Sequence, residues 1–117
     1  MIVDEIRSLA QKQPNHPALI CAQKNGLHES LSYGDLIQAV DRAATALRIG
    51  GACPGERCGM LASQGASFII QALAILETGL CFVPISEDYD GDALDDFIRV
   101  QRSLQCETEE QAHMCFA

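Results

Sequence analysis

The chain has 117 residues, 48% of them hydrophobic, with Gly 9 and Pro 4, which suits one compact folded domain and leaves no room for a second catalytic one. Lys+Arg 8 against Asp+Glu 16 gives a formal charge of -8, and much of the acid lies between Glu87 and Glu110, where only Arg99 and Arg102 oppose it. Such a surface repels phosphate backbones and anionic lipid, and without a basic stripe or an aromatic platform it excludes nucleic-acid binding as the function.

From the N-terminus, Ile2, Ile6, Leu9 and Ala10 share one helical face, predicting an amphipathic helix over 2–12 that Pro14 and Pro17 prevent from continuing. Two short strand-like runs follow, Pro17 to Ala22 and Leu27 to Ser32, around Lys24-Asn25-Gly26, where Asn-Gly favours a tight antiparallel hairpin. Ser32 with Asp35 three residues on has the spacing of a capping box, in which the two residues cap backbone N–H groups reciprocally. The apolar series Tyr33, Leu36, Ile37, Val40, Ala44 and Leu47 then predicts a helix over 33–49, with Gly50 and Gly51 to end it.

Pro54-Gly55 is a turn signal, and residues 57–62 read as a short buried strand. Ser63 is placed to cap a second long helix running through Thr78, with Phe68, Ile69, Ala72, Leu73 and Leu76 as its inward stripe and Gly79 as its stop. A second buried strand, Cys81 to Ile85, comes next, and strand, helix, strand without a tight hairpin requires a parallel crossover, right-handed in nearly every known case. A further helix starts at Asp92, and the closing CETEEQAHMCFA offers a short apolar end suited to a strand. The fold class expected is α/β: a partial layered domain with a parallel strand-helix-strand crossover and an N-terminal β-hairpin.

Six cysteines, Cys21, Cys53, Cys58, Cys81, Cys106 and Cys115, show no C-x-x-C pair, and Cys53-x4-Cys58 lacks a second pair or an adjacent His. Cys21 and Cys81 fall in strand-like runs, where a free thiol behaves as a small hydrophobe. The start MIVDEIRSLAQKQ is not a signal peptide, and Phe68 to Ile85, interrupted by Gln71, Glu77, Thr78 and Gly79, is no membrane span. A reducing, cytoplasmic setting is the expectation. His16, His28 and His113 are tied to no Ser or Cys by a recognisable motif, and Ser63-Gln64-Gly65 is explained as a helix start.

The segments Leu31-Ser32-Tyr33-Gly34-Asp35-Leu36 and Leu76 to Ile85, LETGLCFVPI, resemble in order two landmarks of the adenylate-forming (AMP-binding) superfamily. That superfamily includes acyl-CoA synthetases, aryl-CoA ligases, luciferases and nonribosomal peptide synthetase adenylation domains. The first landmark reads approximately L-[ST]-Y-x-E-L, here with Asp35 for Glu. The second reads approximately L-K-A-G-x-A-Y-x-P-[LI]-D, here keeping Gly79 and Pro84 while Glu77, Thr78, Cys81 and Ser86 depart from it. Between them Pro54 to Leu61, PGERCGML, is similar to the family's P-G-D-x-V-x-L turn and strand.

The resemblance implies that residues 1–117 form the N-terminal subdomain portion of an adenylate-forming enzyme, ending before the ATP phosphate-binding loop. A full enzyme of this kind joins a carboxylate to AMP with release of pyrophosphate, using ATP and Mg2+, and then passes the acyl group to coenzyme A or a carrier-protein thiol. No segment here resembles the Ser/Thr/Gly-rich loop ending in P-K-G, and neither G-x-x-x-x-G-K-[ST] nor G-x-G-x-x-G occurs. No catalytic, cofactor-binding or metal-ligating residue is therefore assigned, and the isolated chain is expected to be inactive and to need no cofactor of its own. The partners expected are the remainder of such a ligase or a second copy, because a parallel strand without its neighbours leaves an open edge. A non-catalytic binding or regulatory module of the same descent, and an unrelated small α/β enzyme, are the competing readings.

Overall fold

A computed structural model describes residues 1–22, 26–62, 65–86, 91–103 and 114–116. Helix α1 (Ile2–Lys12) leads into strands β1 (Pro17–Ala22) and β2 (His28–Ser32), then helix α2 (Tyr33–Ile49). Strand β3 (Arg57–Leu61), helix α3 (Ala66–Glu77), strand β4 (Cys81–Ile85), helix α4 (Gly91–Ser103) and strand β5 (Met114–Phe116) complete the order. β1 and β2 pair antiparallel as the hairpin, with Ile20 opposite Ser30 and a register shift between Pro17 and Leu19. β3 pairs parallel with both β4 and β5, giving the order β4-β3-β5.

Side-chain alternation sends successive residues of a strand to opposite faces. On one face Cys58, Met60 and Phe82 pack with Ile75 and Phe68 of α3, and the Phe68 and Phe82 rings meet edge to face at 6.2 Å. On the other, Val83 and Ile85 pack against Leu94 of α4. The parallel sheet is thus covered by a helix on each side, as βαβ connections require.

A second core joins the helices. Val3 of α1, Leu36, Val40 and Ala44 of α2, and Leu73 and Ala74 of α3 are buried together, with Ala18 and Leu19 of the hairpin packed beside them. The inward face of α1 is turned from the expected one: Val3 is fully buried and Ile6 packs behind it, while Ile2 and Leu9 are exposed. Arg7, on the same side as Val3, is held by carboxylates of α2 and α3.

α3 departs from expectation in two ways. It begins at Ala66 with Gly65 as its N-cap rather than running from Ser63, which lies outside the described residues. Its buried residues are Ala66, Leu73, Ala74 and Ile75, whereas Leu76 is 39% exposed. The helix belongs to both cores at once, so it buries two flanks and its single-stripe periodicity is blurred. Cys81 also differs from the sequence expectation: its thiol is exposed, and Cys58 is the fully buried cysteine.

Candidate functional site

The three landmark segments fold into three junctions. At the first, α2 begins directly at the end of β2, and its opening N–H groups are all engaged. Tyr33 N–H donates to the His16 carbonyl at 3.0 Å, Gly34 N–H to the Pro14 carbonyl at 3.0 Å, and Asp35 N–H to Ser32 Oγ at 3.1 Å. The serine is the cap expected of it, a contribution of about 1 kcal/mol. Gly34 has a local reason: a Cβ there would stand 3.1 Å from the Pro14 carbonyl oxygen. The Tyr33 ring lies against His16 with centroids 6.0 Å apart, and His16 Nδ1 is 3.0 Å from the Pro17 carbonyl oxygen. Helix starts attract phosphate because their N–H groups are free. Here protein carbonyls and a hydroxyl occupy them, so this helix start is closed to a phosphate.

The second and third junctions are built against each other. α3 ends with Gly79 N–H donating to the Leu76 carbonyl and Leu80 N–H to the Ile75 carbonyl, each at 3.1 Å, the paired bonds of a Schellman stop. Gly79 takes φ 77, which a side chain would resist, and Pro54 lies against it. The Gly79 carbonyl accepts from Gly55 N–H at 2.9 Å, and Cys81 N–H donates to the Glu56 carbonyl at 2.8 Å. Glu56 Oε1 in turn accepts from Cys53 N–H at 2.6 Å. The Pro-Gly turn before β3 is thereby fastened to the turn before β4, and the two parallel strands start in register at Arg57 opposite Cys81.

A polar cluster that sequence reasoning missed ties the helices together. Arg7 forks onto Asp41, Nη1 to Oδ2 at 3.1 Å and Nη2 to Oδ1 at 2.9 Å, and Nη2 also reaches Glu77 Oε1 at 3.3 Å. The hydrogen bonds from Arg7 hold the Asp41 carboxyl below its ordinary pKa, and the Asp41 partner raises Arg7 above its own. These residues are far apart in sequence, and no motif or periodicity connects them. Of the three, Asp41 also lines an open groove, together with Gly34, Ile37, Gln38, Arg42 and Thr45. Within it the Asp41 carboxylate is engaged with Arg7 in joining α1 to α2, and the lining residues include no Ser, Cys or His to pair as nucleophile and base.

With the order β4-β3-β5, the chain leaves β3 in one direction and returns on its other side, so the switch point lies between β3 and β5. Open α/β sheets hold ligands beyond the carboxyl ends of their strands at such a point. Leu61 at the end of β3 and Ala62 and Gly65 after it offer no countercharge; Ser63 and Gln64 lie outside the described residues. His16 is with Tyr33, His28 is exposed on β2, and His113 and Cys106 fall outside the described residues. Among the described residues no group of three or more His, Cys, Asp or Glu could hold a metal ion. The α2 start is closed to a phosphate, and the described residues just after β3 supply no charge to hold one. Nor is any described helix long and apolar enough to cross a membrane.

A hairpin, a helical core and a parallel βαβ unit whose junctions carry these motifs define the class: an N-terminal subdomain of adenylate-forming ligases. The family model described as AMP-binding enzyme matches residues 6–103, and the chain belongs to that family. It is 32% identical over 88 residues to the mitochondrial medium-chain acyl-CoA ligase ACSF2 of Pongo abelii, a match that covers 74% of this chain and 14% of the relative. A fatty acyl-adenylate ligase from L. pneumophila, solved with acyl adenylate and pyrophosphate, superposes with a TM-score of 0.75 at 31% identity, over 86% of this chain and 18% of that one. The N-terminal subdomain of NpsA from Klebsiella oxytoca shares the fold, with a TM-score of 0.72 at 16% identity, over 97% of this chain and 30% of that one. The chain thus spans a small part of the proteins it matches.

Proposed function

We propose that these 117 residues are the N-terminal subdomain portion of an AMP-forming acyl-CoA synthetase/ligase-like enzyme that activates a carboxylate as its acyl-adenylate. The observation that carries this reading is the structural use of all three landmarks in their family order, within a family match over residues 6–103. The acyl adenylate and pyrophosphate bound by the L. pneumophila ligase support the reaction class. The acceptor in the whole enzyme would be the thiol of coenzyme A or of a carrier protein.

Within that enzyme the region's work is support. Adenylation concentrates negative charge on transferring phosphates and needs Mg2+, Lys or Arg and free backbone donors placed around them. Those groups would come from outside the described residues, and the chain by itself is proposed to be inactive. Its apolar exposures, Leu61 at 51% and Ile49 at 82% among them, would be covered by the remainder of the ligase.

Reading the gene onward from the codon for Ala117 tests the proposal. A Ser/Thr/Gly-rich segment ending in Pro-Lys-Gly, in the same frame, is the expected finding. A stop codon immediately after Ala117 would sink it and leave a non-catalytic module of the same descent.

A further inference from the structure

The outer edge of β4 is an edge strand of the sheet among the described residues, and its backbone is short of donors. Cys81 N–H donates inward to the Glu56 carbonyl at 2.8 Å, and the Ile85 carbonyl accepts inward from Ala62 N–H at 2.7 Å. In a parallel ladder the N–H and C=O of one residue point the same way, and the direction alternates along the strand. Cys81, Val83 and Ile85 therefore face β3, while Phe82 and Pro84 turn their backbone groups outward. Proline has no N–H. Leu80, the next outward position, has already given its N–H to the Ile75 carbonyl at 3.1 Å. Over residues 80–85 the outward row retains one donor, that of Phe82.

From this register we infer that Pro84 guards the edge of β4 against pairing with β4 of a second copy of the chain. An antiparallel pair formed across a two-fold axis would lose the same hydrogen bond on each side, and an exposed pyrrolidine ring would stand where the strands must close. The proline of the second landmark thus has a use in the bare subdomain that is independent of any reaction: it makes this edge a boundary of the sheet. Self-association of the chain, where it occurs, would use other surfaces.

The test compares wild type, Pro84→Val and Pro84→Lys by sedimentation velocity over a concentration series, with residue-resolved amide exchange. Pro84→Val returns the missing donor and favours strand pairing. It should self-associate about tenfold more strongly than wild type and slow the exchange of the Phe82 amide. Pro84→Lys returns the same donor with a charge and should stay dispersed. In wild type the Phe82 amide should exchange rapidly at every concentration. A folded Pro84→Val chain as dispersed as wild type would overturn the inference. So would a wild-type Phe82 amide that becomes protected as concentration rises, a readout that holds even if the variants do not fold.

Discussion

Asp41 and Gly79 show how single residues fix the relation between elements. The Asp41 carboxyl is lowered in pKa by the hydrogen bonds from Arg7, so its stabilising effect is complete above the unfolded value of about 3.9 and is lost as pH falls through the folded value. The pair is half exposed, with side-chain exposures of 37% and 50%, and its contribution near neutrality is held to about 1 kcal/mol by solvent screening. Asp41→Asn should lower stability in urea by up to that amount at pH 7, and the gap to wild type should close as the solution is acidified below about pH 4. A gap unchanged across that range would show that the ion pair is not its cause. Gly79 presents a backbone effect: at φ 77 an added Cβ costs about 1–2 kcal/mol, and Gly79→Ala should lower the midpoint of thermal unfolding accordingly. Equal midpoints would mean that the stop of α3 relaxes freely.

Among the elements, those with a strong local signal were legible and the one with a blurred signal was not. The bounds of α1, β1, α2 and β4 follow from prolines, caps and glycine stops that act over a few residues. The LSYGDL cap is written in the chain as Ser32 followed by Asp35, and the serine half of the capping box is formed, with Asp35 N–H donating to Ser32 Oγ. The rotation of α1 was not legible, because it is decided by contacts with other helices: Val3 enters the core formed with α2 and α3, and Arg7 on the same side meets Asp41 and Glu77. α3 was misread for a related reason: with apolar residues around most of its circumference, the sequence does not distinguish Leu76 from Ile75, and tertiary placement between two cores decides. Ile75 is fully buried and Leu76 is not. Ile75→Ala should therefore cost about 2–5 kcal/mol in equilibrium unfolding, and Leu76→Ala under about 1.5 kcal/mol. Comparable losses at the two positions would contradict the observed orientation of α3.

At the scale of the whole molecule, the family landmarks prove to be joints of a scaffold. They pin a helix to a hairpin and two turns to each other, and these local bonds make the motifs recognisable without bringing together a nucleophile, a base or a phosphate cradle among the described residues. Candidate-site legibility was limited by the same fact: the sequence could show the landmarks, whereas the ionic cluster of Arg7, Asp41 and Glu77 exists only after three helices have packed. The central proposal is that this region supports an adenylating enzyme without carrying its chemistry. Carboxylate-dependent exchange of pyrophosphate into ATP, measured on the isolated chain with Mg2+ and a panel of fatty and amino acids, tests it most directly. The account predicts exchange no greater than in the protein-free control, and exchange that rises with chain concentration and requires the carboxylate would contradict it.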